Sequence, residues 1–467
     1  MPLLTSISGL RGTIGVDAEG LHPPQIVRAV SAFASWCKDN SNTTDIKIVV
    51  GRDARPSGKW ISSIVESTLV MMGVDVLQLD LATTPTTEMA VRYYDAHGGI
   101  VITASHNPIE WNALKFLNRA GEVLSPDDFK SLAAYLDRST FGYARIDSFG
   151  HVYHPTDALD HHVCAILSLP IVRTEAIRKR KFRIVVDAIN SVGASAVPAL
   201  LRALHCDYEV INATMDGRFA HNPEPLPEHL HDLCQRVKEV GADLGIAVDP
   251  DVDRLVFIDE HGQPFNEEYT LVAAADYVLS QNSGNTVSNL SSTQALRDIT
   301  TKYGGSYAAS RVGEAHVIQR MKETNAVIGG EGNGGVIYPP LHYGRDALVG
   351  IALVLSGMVH FDYTLSQWKQ QLPQYVIYKT KMPLETNVSP YTLLNRIMEK
   401  TPVDVQSIDQ SDGIKWYFDD GWVHIRPSNT EPILRIYAEA PTRAKAQKRA
   451  ETFVQYIQQE IAEIANS

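Results

Sequence analysis

Cysteine is scarce in this sequence, with only four in 467 residues: Cys37, Cys164, Cys206 and Cys234. No two of them have the spacing of a zinc-binding or redox pair. A disulfide framework and a cysteine-based zinc site are therefore not expected. The pattern is typical of buried, reduced thiols in an intracellular protein.

Long apolar runs and a surplus of positive charge are also missing. No stretch approaches the ~18 apolar residues of a membrane-spanning helix, and the N-terminus, "MPLLTSISGLRG", has neither the basic nor the apolar region of a signal peptide. The net charge of −12 argues against a nucleic-acid backbone as partner, which needs a basic face. We therefore expect a cytoplasmic protein with a small-molecule partner and without nucleic-acid or membrane contacts. The oligomeric state stays open.

Strand and helix signals alternate along most of the chain. Short β-branched runs end in polar loops, continue into segments of helical spacing, and return to a second strand. Three such units begin at 46–53, 182–190 and 285–293. The alternation predicts an α/β fold. It leaves open whether the units are similar domains or only the ordinary pattern of α/β proteins.

The C-terminal segment differs from these units. It has strand signals at 413–427 and 433–440, with Asp420-Gly421 at a hairpin position. Apolar residues then recur at helical spacing: Phe453, Ile457, Ile461 and Ile464. This predicts a small α+β domain. Domain boundaries are expected in loops that contain proline and glycine. The predicted domains are 1–150, 151–255, 256–370 and 371–467.

Three aspartates, Asp249, Asp251 and Asp253, alternate in "AVDPDVDRLVFID", residues 247–259. Alternate residues of an extended segment point the same way. Three carboxylates on one side need a cation between them, and oxygen ligands alone select a hard ion, Mg²⁺ or Ca²⁺. Core-like strands flank the motif, which favours a metal site over an acidic turn in solvent.

The same stretch has the length of an EF-hand calcium loop, with Glu260 at the twelfth position when Asp249 is the first. The sixth position, where that loop needs glycine for its sharp turn, is Arg254. No helix signals bracket the segment. We therefore reject the EF-hand and expect Arg254 to meet an anion beside the metal.

Three further motifs are weaker by themselves. "RPSNTEPILR" (426–435) places hydroxyl and amide donors between arginines, the composition of a phosphate cradle. "IGGEGNGGVIYP" (328–339) surrounds Glu331 and Asn333 with glycines that let a ligand approach. "GLRG" (9–12) holds one arginine, Arg11, between glycines. Each motif is also compatible with an ordinary turn or loop.

The stretch "GGIVITASHNP" (99–109) ends an apolar strand at Ser105 and His106. A hydrolytic serine would need a histidine–carboxylate relay. Adjacent residues at a strand end point apart, however, and the motif is not G-x-S-x-G. A serine that carries a phosphoryl group beside a divalent metal fits the pattern better.

Together, "TASHNP", "DPDVDR", "GEGNGG" and "RPSNTEP" resemble the α-D-phosphohexomutase family in order and spacing, over essentially the whole chain. "GRDARPSG" (51–58) and "TPTTEMAV" (84–91) are similar to further family segments. The resemblance implies three similar mixed α/β domains and a smaller C-terminal α+β domain around a central cleft. The phosphoserine, metal, sugar and phosphate loops would lie in the first to fourth domains, in that order.

The resemblance also implies a role for each matching residue. Ser105 would be the phosphoserine, and Mg²⁺ would be bound by Ser105, Asp249, Asp251 and Asp253. Glu331 and Asn333 would bind sugar hydroxyls. The residues near the transferring phosphoryl group would be Arg11, His106, Lys115 and Arg254, with Lys115 a candidate proton shuttle. The non-reacting phosphate would be held by Arg426, Ser428, Asn429, Thr430 and Arg435.

The implied reaction interconverts a hexose 6-phosphate and a hexose 1-phosphate through the phosphoserine and a hexose 1,6-bisphosphate, which also serves as primer. Gly313-Glu314 stands where mannose and glucose enzymes carry Gly-His, and Asn333-Gly334-Gly335 stands where their loop ends Ser-Gly-His. These departures favour a phosphoglucosamine mutase over a phosphomannomutase/phosphoglucomutase. A phosphatase that uses the same serine, a non-catalytic sugar-phosphate binder and a calcium-binding module are the alternatives from other classes.

Overall fold

The computed structural model describes residues 3–15, 19–384, 389–399, 404–428 and 433–465. Within these residues the chain forms four β-sheets in succession, and each sheet is the centre of one domain. Three domains are mixed α/β and the fourth is α+β. The four-domain architecture expected from the sequence is confirmed.

The first domain has a seven-stranded sheet in the order β1-β2-β6-β5-β3-β4-β7. Its strands are β1 (Leu4–Ser6), β2 (Gly9–Thr13), β3 (Lys47–Arg52), β4 (Asp75–Leu81), β5 (Gly98–Ile102), β6 (Trp111–Leu117) and β7 (Val152–Tyr153). Its helices are α1 (Pro23–Asp39), α2 (Gly58–Met71), α3 (Thr84–Tyr93) and α4 (Pro126–Leu136). Strand β3 is the β-branched run "KIVVGR", and its centre is buried on both faces, as expected for a strand covered by helices.

The second domain has a four-stranded sheet in the order β11-β10-β8-β9. Its strands are β8 (Arg183–Asp187), β9 (Asp207–Ile211), β10 (Leu244–Val248) and β11 (Leu255–Ile258). Its helices are α5 (Ala158–Leu167), α6 (Thr174–Arg180), α7 (Gly193–Ala203) and α8 (His231–Val240). Strand β11 continues to Ile258, past residue 255, where the sequence-based division ends the second domain.

The third domain has a four-stranded sheet in the order β13-β12-β14-β15. Its strands are β12 (Asn285–Asn289), β13 (Tyr307–Ser310), β14 (Ala326–Glu331) and β15 (Gly335–Ile337). Its helices are α9 (Glu267–Gln281), α10 (Ala295–Lys302), α11 (Glu314–Thr324), α12 (Ala347–Phe361) and α13 (Leu365–Gln371).

The three α/β domains share one topology. In each, a first strand lies between a second and a third that run parallel to it, and a fourth strand pairs antiparallel with the third. The three sets are β3 to β6, β8 to β11 and β12 to β15. The alternation in the sequence therefore comes from similar domains, which settles the question that the pattern alone leaves open.

The fourth domain has an antiparallel sheet in the order β16-β20-β19-β18-β17. Its strands are β16 (Val376–Pro383), β17 (Ser407–Asp409), β18 (Ile414–Phe418), β19 (Gly421–Pro427) and β20 (Ile433–Ala440), and its helices are α14 (Pro390–Glu399) and α15 (Arg443–Ala465). The predicted hairpin forms, but its loop is Asp419-Asp420, because Phe418 pairs with Gly421. A Cβ at Gly421 would lie 2.0 Å from the carbonyl oxygen of Glu439, so close approach rather than the turn requires this glycine.

A single apolar core spans the second and third domains, whereas the first and fourth domains have cores of their own. Helix α12 lies at the centre of the shared core and packs on α9 and α6. Its apolar side chains are buried on all sides over its first three turns, as expected for a helix that is hydrophobic all round.

The burial of the cysteines and the apolar length of the helices bear on two expectations from the sequence. Cys37 and Cys206 are buried, but Cys164 is exposed, so the prediction of buried thiols is wrong for Cys164. Among the described residues no single helix is long and apolar enough to cross a membrane. The pair α12 and α13 meets that test only when taken together, and it is bent by 82°.

Candidate active site

Ser105 lies in the loop that joins β5 to β6 and is 3% exposed. Its backbone is left-handed, with φ of +49°, a conformation that costs a residue with a side chain energy and clusters at functional sites. The amide of Ser105 donates to Thr103 Oγ1 at 2.9 Å, and its Oγ donates to Asp249 Oδ2 at 2.6 Å. The strained turn thus aims the serine hydroxyl at the aspartate motif of the second domain.

Arg55 fixes the conformation of this loop through hydrogen bonds and is completely buried. Its guanidinium donates to the carbonyl oxygens of Ser105 (2.5 Å), Asn107 (2.6 Å), Pro108 (2.6 Å) and Trp111 (3.0 Å). Its Nε donates to Asp53 Oδ2 at 3.1 Å. Because the planar guanidinium presents all its N–H groups in a fixed geometry, one side chain sets the path of the whole loop.

The three aspartates lie in the loop between β10 and β11, and all are buried. One carboxylate oxygen of each lies within 4.8 Å of the others. The Oδ1 atoms of Asp251 and Asp253 are buried and have no hydrogen-bond partner. Buried carboxylate oxygens left unpaired cost free energy, and a divalent cation would satisfy them. The donor set, oxygen alone, fits Mg²⁺ or Ca²⁺.

The surroundings of the motif shift the pKa values of Asp249 and Lys115. Burial and the neighbouring Asp253 and Asp251 raise the pKa of Asp249 well above its usual range. Burial alone would lower the pKa of Lys115, but the carboxylates of Asp251 and Asp253, at 2.7 Å and 3.3 Å from its Nζ, outweigh burial and raise it. Lys115 is therefore an ammonium ion at neutral pH.

Three more of the sequence-predicted residues surround Ser105. His106 Nδ1 is 3.3 Å from Ser105 Oγ, and burial together with the nearby Arg254 and Arg11 holds the pKa of His106 well below its usual value, so the ring is neutral. Arg11 donates to Asn107 Oδ1 at 2.6 Å. Arg254 donates to Glu224 at 3.2 Å while its Nε is buried without a partner, which leaves a donor for an anion.

Glu331 and Asn333 lie at the hairpin between β14 and β15, and Arg345 ties Glu331 to the aspartate motif. Arg345 donates to Glu331 Oε2 at 2.9 Å and to Asp253 Oδ2 at 2.7 Å. Its Nε lies 3.4 Å from Glu314 Oε2. One buried arginine thus bridges the third domain and the aspartates of the second.

A cavity of about 230 Å³ unites these groups. Its lining includes Arg11, Ser105, His106, Lys115, Arg254, Glu314, Glu331, Asn333 and Arg345. Residues of the first three domains, Ser105 among them, therefore face one small space that is lined by both positive and negative groups.

The structure does not bring the predicted phosphate-binding residues into that cavity. Arg426 and Arg435 face each other across β19 and β20, and the Nε of Arg426 is buried without a hydrogen-bond partner. Two cations opposite each other on neighbouring strands repel, which an anion between them would relieve. The amide of Ser428 donates to the carbonyl oxygen of Ile433 at 2.9 Å.

A second cavity, of about 420 Å³, lies between the third and fourth domains. It is lined by Pro427, next to Arg426, and it shares Val312 with the cavity around Ser105. Asn429 and Thr430, the remaining predicted phosphate ligands, lie outside the described residues. The two cavities adjoin at Val312.

Four residues that contact the site were not assigned a site role from the sequence, although Glu314 was noted there as a departure from the mannose and glucose enzymes. Thr84 donates to Asp251 Oδ2 at 2.6 Å, Arg55 holds the Ser105 loop, and Arg345 and Glu314 line the cavity. Thr84 and Arg55 stand in "TPTTEMAV" and "GRDARPSG", two segments whose family resemblance indicated that they lie near the site. Nothing in these segments indicated which side chain contacts it. Arg345, in "GRDAL", had no comparable signal.

Four family models match consecutive parts of the chain. They describe phosphoglucomutase/phosphomannomutase alpha/beta/alpha domains I, II and III, at residues 3–142, 160–262 and 266–376, and the C-terminal domain of the same proteins, at residues 391–455. Together they cover well over half of the chain.

Curated relatives match over nearly the full length. A phosphoglucomutase/phosphomannomutase of Thermococcus kodakarensis is 35% identical, with 97% of this chain and 98% of the relative covered. A probable phosphoglucosamine mutase of Methanopyrus kandleri is 32% identical, with 98% of both covered. A phosphoglucosamine/phosphogalactosamine mutase of Sulfurisphaera tokodaii is 32% identical, with 92% of this chain and 94% of the relative covered.

Solved structures match as well. A phosphoglucomutase/phosphomannomutase family protein from Burkholderia thailandensis superposes with a TM-score of 0.84 at 26% identity, with 97% of this chain and 96% of that chain covered. A putative phosphomannomutase from Thermus thermophilus has a TM-score of 0.80 at 22% identity, with both chains covered completely. The second likeness concerns the fold alone.

Proposed function

The chain belongs to the phosphoglucomutase/phosphomannomutase family, and from that premise we propose that it is a phosphoglucosamine mutase, which interconverts glucosamine 6-phosphate and glucosamine 1-phosphate. It is an isomerase of the phosphohexomutase type. The observation that carries the proposal is the 2.6 Å contact between Ser105 Oγ and Asp249, made beside a cavity that Ser105 lines together with Lys115, Arg254 and Glu331.

Ser105 is the proposed phosphoryl carrier. Its phosphorylated form transfers the phosphoryl group to the free hydroxyl of the hexose phosphate, so that the bond from phosphorus to Ser105 Oγ breaks and a bond to the sugar oxygen forms. The sugar is then a 1,6-bisphosphate. After it turns end for end, its other phosphoryl group returns to Ser105. Arg254 and Arg11 supply the positive charge that stabilises the transferring group.

Asp249, Asp251 and Asp253 are the proposed holders of Mg²⁺, with an oxygen of phosphorylated Ser105 completing the set. The buried, unpaired Oδ1 atoms of Asp251 and Asp253 support this assignment, as does the all-oxygen donor set. Bound there, the ion supplies compensation for the charge on the transferring phosphoryl group.

Two groups are suited to move protons. The neutral imidazole of His106, with Nδ1 at 3.3 Å from Ser105 Oγ, can accept a proton from an attacking hydroxyl. Lys115 is the proposed proton donor, because its ammonium lines the same cavity as Ser105. General acid–base catalysis needs both a donor and an acceptor within reach of the reacting oxygen.

The sugar and the non-reacting phosphate need separate contacts. Glu331 and Asn333 are proposed to bind sugar hydroxyls that occupy equivalent places in both orientations. Arg426, Ser428, Asn429, Thr430 and Arg435 are proposed to hold the phosphate that does not react. One cradle for this phosphate lets the same serine serve both ends of the bisphosphate.

Glucosamine is proposed as the sugar for two reasons. Several curated relatives are named phosphoglucosamine mutases, at about 30% identity over most of the chain. The cavity also has the carboxylate of Glu314 in its wall, and a carboxylate favours a protonated amine over a neutral hydroxyl. Mannose and glucose phosphates remain the alternative substrates, because the relative from Thermococcus kodakarensis is named a phosphoglucomutase/phosphomannomutase.

Replacing Ser105 by alanine tests the central assignment. We expect Ser105→Ala to lose turnover of glucosamine 6-phosphate entirely, with Mg²⁺ and glucosamine 1,6-bisphosphate present, because the variant lacks the hydroxyl that is proposed to carry the phosphoryl group. Binding of the sugar phosphate, measured by calorimetry, should persist. Ser139→Ala, at an exposed serine of the same domain, is the matched control and should keep full activity.

Persistent turnover in Ser105→Ala would contradict the assignment. A substrate panel with glucosamine, N-acetylglucosamine, mannose and glucose phosphates then tests the sugar: the highest kcat/KM on a neutral sugar argues against the amino sugar. Release of inorganic phosphate in place of the isomeric sugar phosphate would identify a phosphatase.

A further inference from the structure

A second group of metal-ligand side chains lies away from the cavity around Ser105, and the proposed function does not use it. His162, His342 and Asp346 each offer a ligand atom, and these atoms lie within 4.8 Å of one another. All three residues are buried, with His162 and Asp346 completely so. They come from α5 of the second domain and from the segment that leads into α12 of the third.

The distances suit a cation between these atoms. His162 Nε2 lies 2.9 Å from Asp346 Oδ2, and His342 Nε2 lies 3.3 Å from the same oxygen. Ligand atoms around a tetrahedral Zn²⁺, each about 2.0–2.1 Å from the ion, are about 3.3 Å apart. Asp346 is also held in place, because its Oδ1 caps α12 by accepting from the amides of Leu348 and Val349.

The other ring nitrogen, Nδ1, of each histidine faces a polar side chain of the first domain. An imidazole that binds an ion through Nε2 carries its proton on Nδ1, and that N–H needs an acceptor. His162 Nδ1 lies 3.0 Å from Thr86 Oγ1, and His342 Nδ1 lies 3.4 Å from Glu88 Oε2. Neither His342 Nδ1 nor Glu88 Oε2 makes a hydrogen bond within the described residues, so Glu88 is near enough to act as the outer partner of His342 but is not yet engaged.

Glu88 is the independent observation that points to a ligand. It is completely buried, and neither of its carboxylate oxygens has a hydrogen-bond partner. A buried carboxylate without partners is expensive. Gly344 makes room for it, since a Cβ at Gly344 would lie 2.0 Å from Glu88 Oε2. With a divalent ion on the two histidines, the carboxylates of Glu88 and Asp346 would balance its charge.

We propose that His162, His342 and Asp346 bind a structural divalent transition-metal ion, Zn²⁺ foremost, and that Glu88 positions His342 from behind. Two imidazole nitrogens with one carboxylate select such an ion over Mg²⁺, which prefers oxygen alone. Glu88 lies on α3 of the first domain, so the ion would tie together the first three domains. The ligands are buried and line neither the cavity around Ser105 nor the adjoining one, so the ion would have a structural role.

Metal analysis of the full-length protein tests this proposal. The untagged chain is purified without chelator, dialysed against buffer with Mg²⁺, and analysed for zinc. We expect about one zinc per chain, as for a closed structural site. Loading with Co²⁺ should give the intense visible absorption of a tetrahedral site with imidazole ligands. Oxygen-only sites give weak bands, so the spectrum separates this cluster from the three aspartates without any variant.

Three substitutions locate the ion. His342→Asn should lose the zinc and the Co²⁺ band, whereas His261→Asn, at an exposed histidine, should keep both. Asp249→Asn should also keep them, because it alters only the aspartate motif. Glu88→Gln should weaken zinc affinity by roughly 10–100-fold, the usual cost of losing an outer partner.

The proposal is overturned if the protein contains no zinc and Co²⁺ gives no intense band. It is also overturned if zinc stays in His342→Asn and disappears in Asp249→Asn. Neither result would bear on the mutase activity, which is assayed separately with Mg²⁺.

Discussion

Arg345 shows how much a single residue can organise in this site. Its guanidinium contacts Asp253 at 2.7 Å and Glu331 at 2.9 Å, and lies 3.4 Å from Glu314. These carboxylates belong to the aspartate motif, the hairpin between β14 and β15, and the start of α11. The arginine holds a carboxylate of the proposed metal site and one of the proposed sugar site at fixed positions. A lysine, with one point charge, cannot contact both in the same geometry.

We therefore expect Arg345→Met to raise the Mg²⁺ concentration needed for half-maximal activity by roughly 10–100-fold, the range found when a group that orients metal ligands is removed. The KM for the sugar phosphate should rise as well, since Glu331 loses its partner. Arg345→Lys should restore part of the Mg²⁺ dependence. The measurement is a Mg²⁺ titration of initial rates.

Arg320→Met is the matched control, because Arg320 is half-exposed on α11 and its side chain pairs with Glu323, away from the site. It should leave the Mg²⁺ titration unchanged. An unchanged titration in Arg345→Met as well would contradict the bridging role.

At the scale of elements, the same connection carries the site in each of the three α/β domains. The loop between the third and fourth strands holds Ser105 in the first domain, the three aspartates in the second, and Asn333 in the third. In each case the third strand is parallel and buried while the fourth returns antiparallel. The loop therefore projects from one edge of the sheet, and three similar domains turn that edge toward a common cavity.

The loop of Ser105 also depends on its neighbour in the second domain. Gly217 has φ of +69°, and a Cβ there would lie 2.1 Å from the carbonyl oxygen of Ala54, next to Arg55. Phe219 stacks on the Arg55 guanidinium at 4.9 Å. We expect Gly217→Ala to push Arg55 out of place and to lower kcat by about 10-fold or more, since small displacements in an active site are costly.

Gly241→Ala separates that displacement from backbone strain. Gly241 has a similar φ of +60°, but a Cβ there would meet nothing within 4 Å. Both variants pay about 1–2 kcal/mol for a left-handed residue with a side chain, and both should melt at a lower temperature. Only Gly217→Ala should lose activity in kcat measurements at a temperature where both are folded. Equal losses would show that strain alone is responsible.

At the scale of the whole molecule, the domains are joined in two different ways. The second and third share one apolar core, so they should move as one body. The fourth has its own core and meets the third through polar contacts: Lys379 with Glu267 and Glu268, and Tyr269 Oη with the carbonyl oxygen of Pro373. Interfaces of this polar kind allow domains to move relative to each other.

Glu268 makes this interface sensitive to pH. Burial raises its pKa to about 8, with Lys379 opposing the shift. Because the folded-state pKa lies above the ordinary value of 4.5, the protonated carboxyl is favoured in the folded protein. Its contribution to stability is complete below about pH 4.5 and is lost as the pH rises to about 8.

Glu268→Gln removes that ionisation. We expect the melting temperature of Glu268→Gln, relative to the original chain, to increase between pH 5 and pH 9 when both are measured by calorimetry. Glu175→Gln is the control, since the Glu175 side chain is 85% exposed, and its difference should stay flat. A difference for Glu268→Gln that is the same at both pH values would show that the carboxyl does not titrate in this window.

The local sequence pattern was sufficient to predict many of the strands and helices and the types of residue that form the site. The run "KIVVGR" predicts β3, and the apolar runs on either side of the aspartates predict the buried strands β10 and β11. These strand predictions follow from periodicity over a few residues. The aspartates themselves were expected in an extended segment, but they lie in a turn between these strands. The hairpin loop of the fourth domain was misplaced by one residue, because the Asp-Gly pair is a strong turn signal and the closeness of Gly421 to Glu439 cannot be read from neighbours in sequence. The assigned domain boundaries and residue roles stay predictions.

The amino-acid sequence by itself determined the order of strands and helices, the four motifs and their family resemblance, because these depend on side chains close together along the chain. The tertiary structure alone decided which distant groups meet. Ser105 and Asp249 are 144 positions apart and touch at 2.6 Å, and Arg345 reaches Asp253 from 92 positions away. Such contacts arise because apolar surfaces of different domains pack against each other. The spacing of residues along a short stretch of sequence does not determine that packing.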